Sequence, residues 1–117
     1  VVEEVKEFLA QQIAHAKKAG VNEVIIDPGI GFGKTTEHNL QLLKHLHVFK
    51  ELNCPILVGV SRKNFIGNIT GLPVDERLPG SLAAMTIAIM NGANIVRVHD
   101  VFACKKAVQV IDAVRNA

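Results

Sequence analysis

Val2, Val5, Leu9, Ile13 and Ala16 recur three or four positions apart, and Gly20 stands where a C-terminal cap belongs. Residues 2 to 19 are therefore expected to form an amphipathic helix. A short β-branched run, EVIID at 23 to 27, then predicts a strand. Either Thr35 or Thr36 is placed to cap a helix over 37 to 51, with Leu40, Leu43, Leu46, Val48 and Phe49 facing inward, and Asn53 and Pro55 break it. PILVGV at 55 to 60 predicts the second strand, and a polar connection follows, SRKNFIGNITGLPVDERLPG at 61 to 80. Connections of that length inside a compact domain are usually functional. Ser81 is the expected cap of a helix reaching about Met90 and ended by Gly92; NIVRV at 94 to 98 predicts a third strand, and 102 to 115 a last helix.

Helix, strand, helix, strand, helix, strand, helix is an alternation that demands parallel strands with right-handed crossovers. Asp27 to Ser61 spans 34 positions and Ser61 to His99 spans 38, the unit size of a (β/α)8 barrel of about 250 residues. Three strands cannot close a barrel, and an open doubly wound sheet fits the spacing as well. Val1 lies inside the first helical pattern with neither Met nor a capping residue before it, so the chain reads as cut from a longer one.

Composition narrows the class. The 117 residues are 49% hydrophobic and 21% charged, with five Phe and no Trp or Tyr, which predicts one globular domain with a Val, Ile, Leu and Ala core. Thirteen basic and eleven acidic residues leave +2 with no basic stripe, so no nucleic-acid partner is indicated. Cys54 and Cys104, 50 residues apart, read as buried free thiols of a reducing compartment. No apolar run approaches the roughly 20 residues of a membrane span, and no signal peptide is visible. A cytoplasmic protein without membrane contact is expected.

IIDPGIGFGKTTEHN at 25 to 39 raises the question of a phosphate loop. Gly29 and Gly33 stand one residue too close for a Walker A loop, and Gly29, Gly31 and Gly33 give G-x-G-x-G rather than the dinucleotide G-x-x-G ending. What remains is a strand ending in a carboxylate, followed by backbone that a ligand can approach closely.

Every predicted strand ends in polar residues: Asp27; Ser61, Arg62 and Lys63; Arg97, His99 and Asp100. In parallel α/β architectures, ligands lie at the carboxyl ends of strands. By the two-residue period, if Ile25, Leu57 and Ile95 face a barrel interior, then Asp27, Gly59, Ser61, Arg97 and His99 crown it. One acid among three cationic side chains suits a planar heterocycle bearing phosphate. Plainer roles are an Asp27 that only serves its turn, an Arg97–Asp100 rim ion pair, and a Glu76–Arg77 solvated pair or loop anchor. His45 and His47 lack the spacing of helical metal ligands and read as surface residues; His15 and His38 carry no signal.

DPGIGFGK at 27 to 34, VGVSRKNFIG at 58 to 67, ERLPGSLAA at 76 to 84 and RVHDV at 97 to 101 together resemble dihydropteroate synthase. The resemblance covers about residues 2 to 116 and corresponds to the C-terminal part of that family's TIM (β/α)8 barrel. It implies an α/β fold of about three strands and four helices, with residues 1–117 a partial pterin-binding domain whose N-terminal half is absent. It implies a folate-biosynthesis transferase that joins 4-aminobenzoate to 6-hydroxymethyl-7,8-dihydropterin diphosphate, releases pyrophosphate and uses Mg2+, with no metal ligand in this chain.

By the same resemblance Asp27 binds the pterin's aminopyrimidine edge, and Lys63 its carbonyl and N5 side. Arg97 covers the pterin face and reaches the anion, and His99 joins it at the diphosphate. Gly31, Phe32 and Ser61 line the aminobenzoate site, where sulfonamides bind, and Gly59 admits the pterin to the backbone. Lys63, Arg97 and His99 are the expected catalytic residues. The isolated chain is expected to be inactive and to form a homo-oligomer. The alternatives are the pterin-binding domain of a methyltetrahydrofolate methyltransferase, or a non-catalytic, self-associating half-barrel.

Overall fold

The computed structural model describes residues 1–117. Five α-helices are present: α1 (Val2–Lys18), α2 (Thr36–Lys44), α3 (Asn64–Thr70), α4 (Leu78–Met90) and α5 (Val101–Arg115). Two 3-10 segments, Leu46–Leu52 and Val74–Glu76, and two strands, β1 (Leu57–Val58) and β2 (Ile95–Val96), complete the fold. The strands are parallel and in register, Leu57 opposite Ile95 and Val58 opposite Val96. The alternation and the parallel pairing agree with expectation; three strands and four helices do not.

The first expected strand survives only as an isolated parallel bridge between Ile26 and Ile56. Ile26 N–H donates to the Pro55 carbonyl at 2.9 Å, and Leu57 N–H donates to the Ile26 carbonyl at 2.8 Å. In a parallel ladder the next rung on one side needs an N–H at residue 55, and on the other an N–H at residue 28. Both are proline, which has none to give. Two prolines thus reduce a β-prone run to a single rung.

The other departures lie in the helices. The expected helix over 37 to 51 ends at Lys44, and a tighter 3-10 turn begins at Leu46. Within α2, Leu42 is fully buried while Leu40, expected inside, is exposed. The connection from 61 to 80 is partly helical, holding α3 and a 3-10 turn. Helix α4 begins at Leu78 with proline in its first turn, where a missing N–H costs nothing. Ser81 is therefore inside the helix and not its cap. Thr35 does cap α2, accepting from His38 N–H at 3.1 Å.

Ile26, Ile56, Val58 and Val60 point from the sheet into a core completed by Leu42, Leu46 and Phe49 and by Met85 and Ala88 of α4. On the opposite face Ile25 is 56% and Ile95 37% exposed, and Leu57 is half-buried. The shortest dimension is 21 Å, the thickness of one sheet with one layer of helices about 10 Å across. The architecture is a section of barrel wall, helices outside and a single bare face inside. No helix is long and apolar enough to cross a membrane.

Candidate functional site

The glycine loop is closed by its own side chains. Asp27 Oδ1 accepts the Gly29 N–H at 2.8 Å, and Lys34 Nζ donates to the carbonyls of Gly29 at 2.9 Å and Phe32 at 3.1 Å. The buried Asn39 of α2 accepts the Gly31 N–H through Oδ1 at 2.8 Å, fastening the loop to the helix that follows it. Gly31 adopts φ +91°, a conformation that L side chains resist. Its missing side chain also clears a path: a Cβ there would lie 2.7 Å from Lys63 Cδ. Lys63 crosses that gap, its ammonium donating to the Ile30 carbonyl and standing 4.5 Å from the centre of the Phe32 ring. Phe32 is 65% exposed, so this cation–π contact contributes about 0.5–1 kcal/mol. Gly31, Phe32, Lys63 and Asn64 border a cleft of about 540 Å³.

A second, smaller cavity of about 240 Å³ adjoins it across Lys63, lined by Gly59, Ser61, Arg97 and His99. A Cβ at Gly59 would lie 3.4 Å from Arg97 Nε, so glycine lets the guanidinium lie against the β1 backbone. Arg97 N–H donates to the Val58 carbonyl at 3.1 Å, extending the pairing of β2 with β1 and fixing the base of this side chain. Ser61 Oγ, buried, lies 2.8 Å from His99 Nδ1 and accepts the His99 backbone N–H at 3.2 Å.

Between these groups runs a clamp. Arg62 has φ +58°, unusual for a side-chain-bearing residue, and three contacts hold it. Its guanidinium grips Asp100 through Nη2 at 2.6 Å and Nε at 3.2 Å. Its N–H donates to the buried Ser81 Oγ at 2.9 Å, and its carbonyl accepts from Arg77 Nη1 at 3.0 Å. The expected Arg97–Asp100 pair is thus an Arg62–Asp100 pair, which leaves Arg97 without an ionic partner. Arg77 acts as the loop anchor, also donating to the Leu72 carbonyl, and makes no ion pair with Glu76. Cys104 is buried, but Cys54 is half-buried, a correction to the expected pair of buried thiols.

Burial pushes the Lys63 ammonium below the ordinary lysine range; Asp27 opposes this, while Arg97 and Lys34 reinforce it. Charge from Asp27, Lys34 and Arg97 therefore converges on one nitrogen. Asp27, expected on the same rim as Arg97 and His99, lines neither cavity: it is exposed, accepts the Gly29 N–H, and borders a shallow hollow against α1. The structure gathers Gly59, Ser61, Lys63, Arg97 and His99 at one cavity and Gly31 and Phe32 at the next, with Lys63 shared. Ser61 faces the Arg97 side and is not part of the Phe32 cleft. Asn39 carries only one signal in the sequence, a polar residue on an otherwise apolar helix face; Ser81 reads there as a cap and Arg62 as one of the polar residues ending a strand, and nothing in the sequence links the two.

A family model described as pterin binding enzyme matches residues 1–99. The dihydropteroate synthase of Escherichia coli (strain K12) is 44% identical over 119 residues, covering 100% of this chain and 42% of that protein. Among solved structures, Xanthomonas albilineans dihydropteroate synthase in complex with 7,8-dihydropteroate superposes with a TM-score of 0.96 at 45% identity, over 99% of this chain and 45% of that one. The Thermus thermophilus enzyme in complex with 4-aminobenzoate gives 0.94 at 47% identity, over 97% and 47%. The α/β fold with parallel strands is that of these TIM barrels. The chain spans less than half the length of each of these three relatives.

Proposed function

We propose that this chain, which belongs to the pterin-binding enzyme family, supplies the cationic wall of a dihydropteroate synthase site. The reaction joins the amine of 4-aminobenzoate to the methylene carbon of 6-hydroxymethyl-7,8-dihydropterin diphosphate. The observation that carries this reading is the meeting of Lys63, Arg97 and His99 beside two glycines that leave the backbone bare. The relatives described above are synthases, which favours this chemistry over a methyl-transferring barrel.

In the reaction the amine nitrogen attacks the methylene carbon and the C–O bond breaks. Its electron pair leaves with the diphosphate, and the amine nitrogen gives up a proton. A fixed guanidinium beside the departing oxygens stabilises the charge that develops there, and an Arg97 free of any carboxylate is suited to that task. A guanidinium also stacks on a flat ring, and its placement against Gly59 leaves its plane available. Asp27 presents a carboxylate to the aminopyrimidine edge, where two parallel N–H donors make a strong bidentate pair. Lys63 stands between the two cavities and donates to the pterin from one side while Phe32 and Gly31 hold the aminobenzoate on the other. No protein nucleophile is required, because positioning supplies much of the acceleration.

Mg2+ is the expected companion of the diphosphate. No three His, Cys, Asp or Glu side chains cluster in this chain; a magnesium ion on a diphosphate needs only one or two protein carboxylates, and these are proposed to lie outside this chain. The chain is proposed to lack turnover by itself, and to pair with a second copy through the outward face of α5, where Phe102, Val110 and Val114 are each more than half exposed. Size-exclusion chromatography checks the pairing: a monomer at micromolar concentration overturns it.

The decisive experiment is calorimetric titration of the purified chain with 6-hydroxymethyl-7,8-dihydropterin diphosphate. Asp27→Asn and Arg97→Ala are each expected to weaken binding about 10- to 100-fold, the loss that goes with a charged hydrogen bond of about 1.5–3 kcal/mol. Unchanged affinity in both variants overturns the reading. Synthesis of dihydropteroate by the chain alone, at a rate comparable with a complete synthase, overturns the proposed inactivity.

A further inference from the structure

The Ser61–His99 contact sets which nitrogen of His99 faces the cavity. Ser61 Oγ has two polar neighbours: the backbone N–H of His99 at 3.2 Å and its ring Nδ1 at 2.8 Å. The backbone group is a donor whatever the pH, so it occupies one lone pair of the hydroxyl. If Nδ1 also carried a proton, the hydroxyl would accept twice and its own hydrogen, on a side chain buried against the core, would have no protein acceptor. If Nδ1 is bare, the hydroxyl donates to it and every group is matched. Which ring nitrogen is protonated follows from the bond that the other one makes.

We propose that Ser61 is a positioning residue that holds His99 as the Nε2–H tautomer and aims that N–H into the cavity shared with Arg97. Nε2 lies across the ring from the bonded Nδ1, and His99 is an exposed residue that lines this cavity. The same hydroxyl binds the His99 backbone, so ring rotation and main-chain position are fixed together. His99 thus meets an anion as a neutral, directed donor, while Arg97 supplies the charge. That the anion is a diphosphate rests on the proposed function; the tautomer does not.

The test uses the 15N-labelled chain and long-range 1H–15N spectra of its histidine rings at about pH 8.5, some two units above the ordinary imidazole value of about 6.5. His99→Gln identifies the His99 signals among the five histidines. The wild-type ring is expected to show the Nε2–H pattern; an Nδ1–H ring overturns the proposal with no variant needed. Ser61→Ala is expected to shift the ring toward a tautomer mixture and to weaken binding of inorganic pyrophosphate about 3- to 10-fold, as for a neutral hydrogen bond. Ser61→Thr, which keeps the hydroxyl, is expected to restore both. A spectrum that Ser61→Ala leaves unchanged overturns the positioning role. If the spectra behave as expected and the wild-type chain ignores pyrophosphate, the role of Ser61 stands and the diphosphate assignment falls.

Discussion

Lys63 passes over Gly31 with no room for a methyl group between them: a Cβ at residue 31 would sit 2.7 Å from Lys63 Cδ. Gly31→Ala must therefore move Lys63, and it must also hold a side-chain-bearing residue at φ +91°. The left-handed strain alone is expected to cost about 1–2 kcal/mol, read as a lower urea midpoint. Because the lysine borders both cavities, 4-aminobenzoate and pterin diphosphate should each bind more weakly; loss of stability with intact binding of both would contradict the shared-lysine geometry.

Lys63 itself is held in a partly desolvated position, which disfavours its charged form. Removing the charge while keeping the stem relieves that penalty. Lys63→Met is expected to leave the urea midpoint unchanged or slightly higher while pterin affinity falls about 10- to 100-fold. A midpoint that drops together with affinity would mean that the bond to the Ile30 carbonyl stabilises the fold more than burial destabilises it.

Asn39 tests how the glycine loop is anchored. Its amide oxygen accepts the Gly31 N–H from inside the protein. Asn39→Ala leaves that donor without a partner, a loss of about 1–3 kcal/mol, and frees the loop from α2. Denaturant melts should show the loss of stability, and amide exchange at Gly31 should accelerate far more than exchange in α4.

Acid should undo the clamp. The Arg62 guanidinium beside Asp100 holds its carboxyl below the usual carboxylate range. A carboxylate with a depressed folded value stabilises fully above its unfolded value of about 3.9 and loses that contribution as pH falls through the folded value. Stability should therefore fall below about pH 4, and Asp100→Asn should lower stability at neutral pH while flattening this acid limb. Urea midpoints measured from pH 2 to 7 provide the check; parallel curves for the two proteins would remove Asp100 from the account.

Much of this was legible in the chain. The 3.6-residue period gave α1, α4 and α5 to within a few residues, and the polar residues ending the second and third β-prone runs meet at one cavity, whereas Asp27, ending the first, borders another hollow. The lost strand was legible too, had the prolines at 28 and 55 been placed on ladder rungs and not only at turn positions. Less accessible was Ser81: a serine before an apolar run looks like a cap, and only the fold shows its hydroxyl engaged by the Arg62 N–H nineteen residues upstream. The Arg62–Asp100 pair was hidden for the same reason. Sequence adjacency favours Arg97 as partner, but alternation turns Arg97 toward the mouth while Arg62, on a left-handed turn, swings back across it. Contacts made by tertiary approach leave no periodic trace.

The single rung at Ile26 has a mechanical meaning. Two amide bonds tether the segment that carries Asp27, whereas Arg97 rises from a stitched pair of strands. Where Asp27 and Arg97 act as the proposed pair around one ligand, the acid is the one with fewer ladder bonds to the sheet. On that proposal, a bulkier ring is expected to displace the Asp27 segment before it displaces the strand that carries Arg97.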